Sequence, residues 1–231
     1  MPPSKEHSAL EVISGLCGRT DVACVLIASE DTLGYGLHPD EEKSLSPAAV
    51  AKRREEFTAG RAAANRAMRE LGIAAPPPVP QGKMREPLWP EGVVGSITHS
   101  HPWTIAVAAR SSSVAAIGID LESSARMKEE DISRHICIDS EIAWMRGHPQ
   151  PLRALTMIFS SKEAVFKALS PRCKRYFDFK DARLVWLPGE DAFRGELLIH
   201  LDKKYTRGYS FEVSCRSSKE WIFSYLIEES G

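Results

Sequence analysis

Six prolines lie between Ala74 and Pro90, at positions 76, 77, 78, 80, 87 and 90. Proline lacks an N–H donor and clashes with the preceding helical turn, so no regular helix runs through this stretch. The loop it forces separates two kinds of pattern. Before it, Ser46-Pro47 supplies a cap residue followed by proline, and helix formers continue through AAVAKRREEFTAGRAAANRAMRELG until Gly72. A long helix is expected there. Along it Ala49, Arg53, Phe57, Arg61, Ala64 and Met68 give an apolar strip flanked by arginines. After the loop, GVVGSITHS, WTIAVAAR and VAAIGIDLE read as adjacent strands, the last two divided by the turn-forming Ser111 to Ser113.

The same order recurs on both sides of that turn. VACVLIAS, from Val22 to Ser29, is short, apolar and β-branched, as a buried strand is, and precedes the first long helix. A second helix is expected from Leu152 to Leu169, ended by Ser170-Pro171 because the residue before proline is disfavoured in a helix. Met127 to Trp144 carries a weaker helical pattern, and ARLVWLP, FRGELLIHL, YSFEVSCR and WIFSYLI alternate as antiparallel strands do. Strand, long helix and strands thus occur twice. The expectation is an α+β fold in two similar halves, residues 1–112 and 113–231, with the seam near Arg110 to Val114.

Charge excludes some functions. Thirty Lys and Arg against 31 Asp and Glu leave a formal charge of -1, which gives no general reason to bind nucleic acid or a membrane, so any phosphate binding is local. The five cysteines (17, 24, 137, 173 and 215) are odd in number, scattered and without C-x-x-C spacing, which suggests neither a disulfide framework nor a zinc site. Met1 to Gly15 carries Lys5, Glu6 and Glu11 and no long apolar run, arguing against a signal peptide. A soluble, cytoplasmic protein is expected.

Three clusters carry candidate chemistry. In GIDLE, a strand period of two places Asp120 and Glu122 on one face and Ile119 and Leu121 on the other. Paired hard oxygen ligands suit magnesium, which takes one or two protein carboxylates with water and substrate phosphates; an exposed strand face with two solvated acids reads the same. In FSSKEAVFKAL, Lys162 interrupts the stripe of Ile158, Val165 and Leu169, and a buried ammonium needs an anionic partner. Glu163 and Lys167 are four apart on an adjoining row, placed to meet each other or to face a site together. In VVGSITHSHPW, Ser96, Thr98, His99 and Ser100 are small donors and an imidazole suited to a phosphate, or equally to a polar turn. No P-loop or dinucleotide fingerprint is present, so phosphate binding would rest on side chains such as Arg53, Arg54, Arg61, Lys83 and Arg85.

Taken together, FTAGRAAANRAMRELG, PEGVVGSITHS, AIGIDLE and FSSKEAVFKAL resemble, in this order, the motif series of the phosphopantetheinyl transferases of the surfactin- and enterobactin-synthase type, with PLWP of the proline loop closest to the enterobactin-synthase subgroup. The resemblance implies a monomer of two similar α/β halves with the active site in the cleft between them. It implies that Asp120, Glu122 and Glu163 bind magnesium, which bridges the pyrophosphate of coenzyme A. Glu163 resembles the residue that takes the proton from the serine of an apo acyl or peptidyl carrier protein, directly or through water. Lys167, with Lys162, would offset pyrophosphate charge; Thr98 and His99 match contacts to the coenzyme's phosphates, Arg53 and Arg61 the grip on the 3'-phosphate, and Lys83 or Arg85 a further contact. A carrier domain acidic around its serine implies an apolar, basic-rimmed docking surface, for which Met127 to Met145, with Arg126, Lys128, Ile132, Arg134, Ile136 and Ile138, is the candidate. The same acids around magnesium would also suit a phosphodiesterase acting on a nucleotide pyrophosphate, and a coenzyme- or carrier-binding module without catalysis is the non-enzymatic alternative.

Overall fold

The computed structural model describes residues 5–32, 34–128 and 132–231. Runs of helices and runs of strands follow one another, as in an α+β fold, and the chain divides into two compact units. One comprises Ser14–Ile117 with Glu228–Gly231, the other Met1–Ile13 with Gly118–Ile227. The division thus falls at Ile117/Gly118, inside the strand Val114–Ser123, rather than at 112/113, and each terminus joins the unit opposite to that expected.

In the first unit, β1 (Val22–Ala28), β2 (Val93–Ser100) and β3 (Trp103–Arg110) form a sheet in the order β1-β3-β2. The antiparallel register pairs Val25 with Ala106 and Ile97 with Ala106. One face packs on a long helix through Ala59, Ala63, Ala67 and Met68, which meet Ala23, Val25, Ala106 and Ala108. Numbered in chain order, this helix is α3 (Ala51–Glu70), after α1 (Lys5–Cys17) and the short α2 (Pro39–Glu42). It starts four residues later than Pro47 predicts. Ser46 caps a turn instead, its Oγ and carbonyl accepting from the N–H groups of Ala48 and Ala49, and Val50 is extended at φ -64° and ψ 153°. The proline loop is tied down by the buried Glu41, whose Oε1 accepts from Val79 N–H at 2.9 Å and whose Oε2 accepts from His38 N–H at 3.0 Å.

One cysteine expectation is corrected here. Cys17 and Cys24 form a disulfide across the turn from α1 to β1, with their Cα atoms 5.2 Å apart. An odd total hides a single local pair, and the turn brings two positions seven apart within bonding reach. Cys137, Cys173 and Cys215 are free.

In the second unit, β4 (Val114–Ser123) leads a five-stranded sheet ordered β4-β8-β7-β6-β5, with β5 (Ala182–Leu187), β6 (Ala192–Leu197), β7 (Ser210–Ser217) and β8 (Trp221–Glu229). The weak helical pattern after β4 resolves into α4 (Ser133–Ile136) and α5 (Asp139–Gly147); its positions 129–131 lie outside the described residues. The long α6 (Pro151–Cys173) carries Pro151 at its first turn. It does not stop at Leu169. Pro171 falls in the last turn, where the missing N–H removes only one intrahelical bond, and the helix ends at Lys174 with φ 52°. Among the described residues no helix is long and apolar enough to cross a membrane.

Gly118 sets how closely β4 and α6 approach. A Cβ there would lie 2.0 Å from Ala164 O and 2.5 Å from Ala168 N, both backbone atoms of α6. Gly118→Ala must therefore push strand and helix apart, and a loss of about 1–3 kcal/mol is expected in urea unfolding. Gly147→Ala, at the end of α5 with nothing within 4 Å, should leave the midpoint within error. An unchanged midpoint for Gly118→Ala would contradict the tight packing.

Candidate active site

The face of β4 that carries Gly118 also carries Asp120 and Glu122, because alternate strand residues share a side. The helix that Gly118 admits covers this face, so the two acids are not a solvated pair: Asp120 is 4% exposed and the Glu122 side chain 15%. From α6, Lys167 Nζ donates to Asp120 Oδ1 at 2.7 Å, and Ser160 Oγ donates to the carbonyl of Asp120 at 3.3 Å. Ile119 and Leu121 point the other way and are fully buried.

These groups feel one another. Burial and then the neighbouring Asp120 push the Glu122 carboxyl up to about 7, with Glu163 adding to the repulsion and Arg126 and Lys167 opposing it. Burial also raises Glu163, with Asp120 acting in the same direction against Lys167. For Lys167, burial works against the charge, but Asp120, Glu163 and Glu122 together outweigh it and hold the ammonium above its usual range. The Lys167 side chain keeps 27% exposure, so its charge can be offered to a ligand. Three acids and one lysine therefore share a partly desolvated space. Among the described residues, however, no three His, Cys, Asp or Glu side chains are grouped as a ready set of metal ligands, so the expected trio is not a preassembled chelate.

Lys162 requires a correction. The expectation paired it with Lys167 as a coenzyme contact, but its side chain is 1% exposed and its ammonium lies 2.7 Å from Glu141 Oε2. Burial lowers its pKa while Glu141 opposes that shift. The apolar stripe predicted that a buried partner must exist; nothing in the sequence singled out Glu141 among the acids of the chain. Arg126, a candidate for carrier recognition, sits 3.3 Å from Glu122 and above the Phe159 ring at 5.9 Å, with its side chain still exposed. Ile136 of that segment is 3% exposed and belongs to the core. Arg134 does reach the surface, where with Asp139, Ile142, Arg146 and Lys180 it lines an open groove of about 550 Å³.

In the first unit the structure gathers some of the proposed phosphate ligands and separates others. Arg53 and Arg61 bracket the ring of Phe57 on α3, their guanidinium carbons 5.8 and 4.0 Å from its centroid. Arg61 is 6% exposed, and burial, with Arg53 adding, lowers its pKa to about 10 against the pull of Glu41 and Tyr35. Lys83 and Arg85 are exposed on a tight turn closed by Gly82 N–H to Glu86 O at 2.8 Å, with Arg85 at φ 68°. Thr98 and His99, being consecutive on β2, face opposite sides of the sheet. His99 Nε2 meets Glu56 of α3 at 3.2 Å, whereas Thr98 is 3% exposed on the side away from that helix.

The comparisons with known proteins agree with this arrangement of motifs. Residues 40–109 match the profile of the 4'-phosphopantetheinyl transferase N-terminal domain, and residues 116–223 match that of the 4'-phosphopantetheinyl transferase superfamily. The chain is 36% identical over 168 residues to the 4'-phosphopantetheinyl transferase PptT of Mycobacterium tuberculosis, an alignment covering 72% of this chain and 73% of that protein. It is 32% identical to the 4'-phosphopantetheinyl transferase Npt of Nocardia iowensis, over 70% of this chain and 75% of that protein. Similarity to enterobactin synthase component D of Salmonella typhi is 40% over 61% of this chain and 53% of that protein. Matched over both halves by these family profiles and over more than two thirds of the M. tuberculosis enzyme, the chain belongs to the 4'-phosphopantetheinyl transferase superfamily of enzymes.

Proposed function

We propose that the protein transfers the phosphopantetheine group of coenzyme A to a serine of an apo acyl or peptidyl carrier protein, with magnesium, releasing adenosine 3',5'-bisphosphate. The observation that carries this reading is the shared space of Asp120, Glu122, Glu163 and Lys167 on β4 and α6, where three carboxylates repel one another around one ammonium. The donor set fits a hard divalent cation: rigidly mounted carboxylates whose crowding such a cation would relieve, lowering the pKa values that burial has raised. Asp120, Glu122 and Glu163 would hold the ion, and when bound it supplies charge neutralisation to the pyrophosphate.

The rest of the work falls to side chains. Arg53 and Arg61, both near the Phe57 ring, present planar forks to the 3'-phosphate, with His99 and Lys83 or Arg85 adding contacts. Lys167 offsets charge on the pyrophosphate. Glu163 takes the serine proton directly or through an oriented water; since a bound ion would lower its pKa, the route through the oriented water is the one consistent with its also holding the ion. The serine oxygen bonds to the β-phosphorus, the bond from that phosphorus to the bridging oxygen breaks, and the leaving oxygen departs on adenosine 3',5'-bisphosphate. The carrier is held by the groove of Arg134, Arg146 and Lys180, whose cations complement an acidic partner.

The reading is tested by incubating the protein with coenzyme A, magnesium and apo carriers of fatty-acid, polyketide and peptide synthesis, then weighing the carriers by mass spectrometry. A phosphopantetheine adduct on the serine is expected; no adduct on any carrier, or pyrophosphate hydrolysis without a carrier, would contradict it. Asp120→Ala should lower kcat/KM by about 100-fold or more. Charge reversal at Arg134, Arg146 or Lys180 should raise KM for the carrier about 10-fold, with a weaker salt dependence, and leave the coenzyme Kd unchanged. Equal loss of both affinities would reject the groove as the carrier's seat.

A further inference from the structure

Lys162 uses its three N–H donors inside the protein: on Glu141 Oε2 at 2.7 Å, on the carbonyl of Ile136 at 3.0 Å and on the carbonyl of Phe179 at 2.8 Å. Glu141 is engaged as fully. Its Oε1 accepts from Leu184 N–H at 2.8 Å, and its Oε2 also accepts from Ile138 N–H at 2.9 Å. Two charges thereby fasten four stretches of chain: the end of α4, the start of α5, the middle of α6 and the segment entering β5. A buried pair of this kind is a poor source of net stability, since apolar residues of similar volume often serve as well or better. What it provides is a fixed geometry.

That geometry surrounds Glu163, the next residue along α6. Glu163 opens on a cavity of about 150 Å³ walled by Lys162 and Phe166 of α6 and by the Tyr176–Phe179 stretch with Ala182; Lys162 borders it with a side chain only 1% exposed. The Phe179 carbonyl is one of the acceptors of Lys162, and Ala182 stands two residues before Leu184, whose N–H is held by Glu141. The ring of Phe179 also packs on Phe159 of α6 at 5.6 Å. The 179–184 part of the wall is thus hung from the buried pair, and the pair is anchored in the turn of α6 that presents Glu163.

We propose that Lys162 and Glu141 are positioning residues of the Glu163 site, fixing the segment 177–184 against α6, and that the Lys162 ammonium makes no contact with the coenzyme. The inference rests on the transferase reading only for its kinetic consequence. It is tested with Lys162→Met and with Lys162→Met/Glu141→Gln, the second leaving no unpaired buried charge and so serving as the folded comparison. Three readouts are taken: backbone hydrogen exchange, calorimetric coenzyme A binding, and kcat with KM for transfer. In the double variant, amides of 177–184 should exchange about 10-fold faster or more while those of β7 keep their protection. The coenzyme Kd should stay within about twofold, and kcat should fall about 10- to 100-fold, as a small misplacement of reacting groups costs.

Loss of protection in β7 together with 177–184 would reduce the pair to general stability and overturn the proposal. So would a coenzyme Kd raised with 177–184 still protected, which would make Lys162 a direct ligand, and so would an unchanged kcat despite local loosening. If the wild-type protein transfers nothing, the transferase reading fails on its own, and exchange with coenzyme binding still decides between a local wall and a general one.

Discussion

The contact between the backbone of α6 and Gly118 of β4 is the constraint on which the site depends. Because Gly118 has no Cβ, strand and helix approach to a distance at which any other side chain would collide with Ala164 O. Two and four residues on, the same strand face carries Asp120 and Glu122, and one turn or less from Ala164 the helix carries Glu163 and Lys167. A larger residue at position 118 would hold the two elements apart and separate the acids from the lysine. The chemistry of the site is thus set by a glycine that takes no part in it.

The close approach makes the charges strong. Burial of the acids, and after it their weakly screened repulsion, raises Glu122 to about 7 and shifts Glu163 upward. Lys167 answers part of that repulsion through Asp120 at 2.7 Å. The second buried lysine of α6 is a different case: five residues earlier, Lys162 finds a complete set of acceptors within the protein and holds the wall beside Glu163. Lysines a turn and a half apart on one helix therefore divide the labour between a charge offered to the site and a charge consumed in building it.

Much of this was legible in the sequence. The strands of the described residues were readable from short β-branched apolar runs, from alternation and from turn residues, the last stretch as three or four of them, and the α+β class followed. The helix ends were not: Ser46-Pro47 reads as a helix start but closes a turn, and Pro171 reads as a stop but falls where only one bond is lost. The division at Ile117/Gly118 lies inside a continuous strand, where no change in composition marks it. Regular spacing placed Asp120 with Glu122 on one strand face and Glu163 with Lys167 on one helix row, but only the family resemblance joined the two pairs into one site. The partners of Lys162 and Arg126 were not legible, since pairing over 21 or four residues depends on how α5 and the turn after β4 fold, and the disulfide was hidden by an odd cysteine count.

We propose that Asp120, Glu122, Glu163 and Lys167 form one charge-compensated site for a divalent cation bound together with the coenzyme. Manganese(II), a spectroscopic substitute for magnesium, can be titrated into the protein in the presence of coenzyme A and followed by electron paramagnetic resonance. The account predicts one bound ion per chain, lost in Asp120→Asn and Glu122→Gln and retained in Lys162→Met/Glu141→Gln. Manganese bound as tightly after both carboxylates are neutralised, or no bound manganese in the wild-type protein, would contradict it.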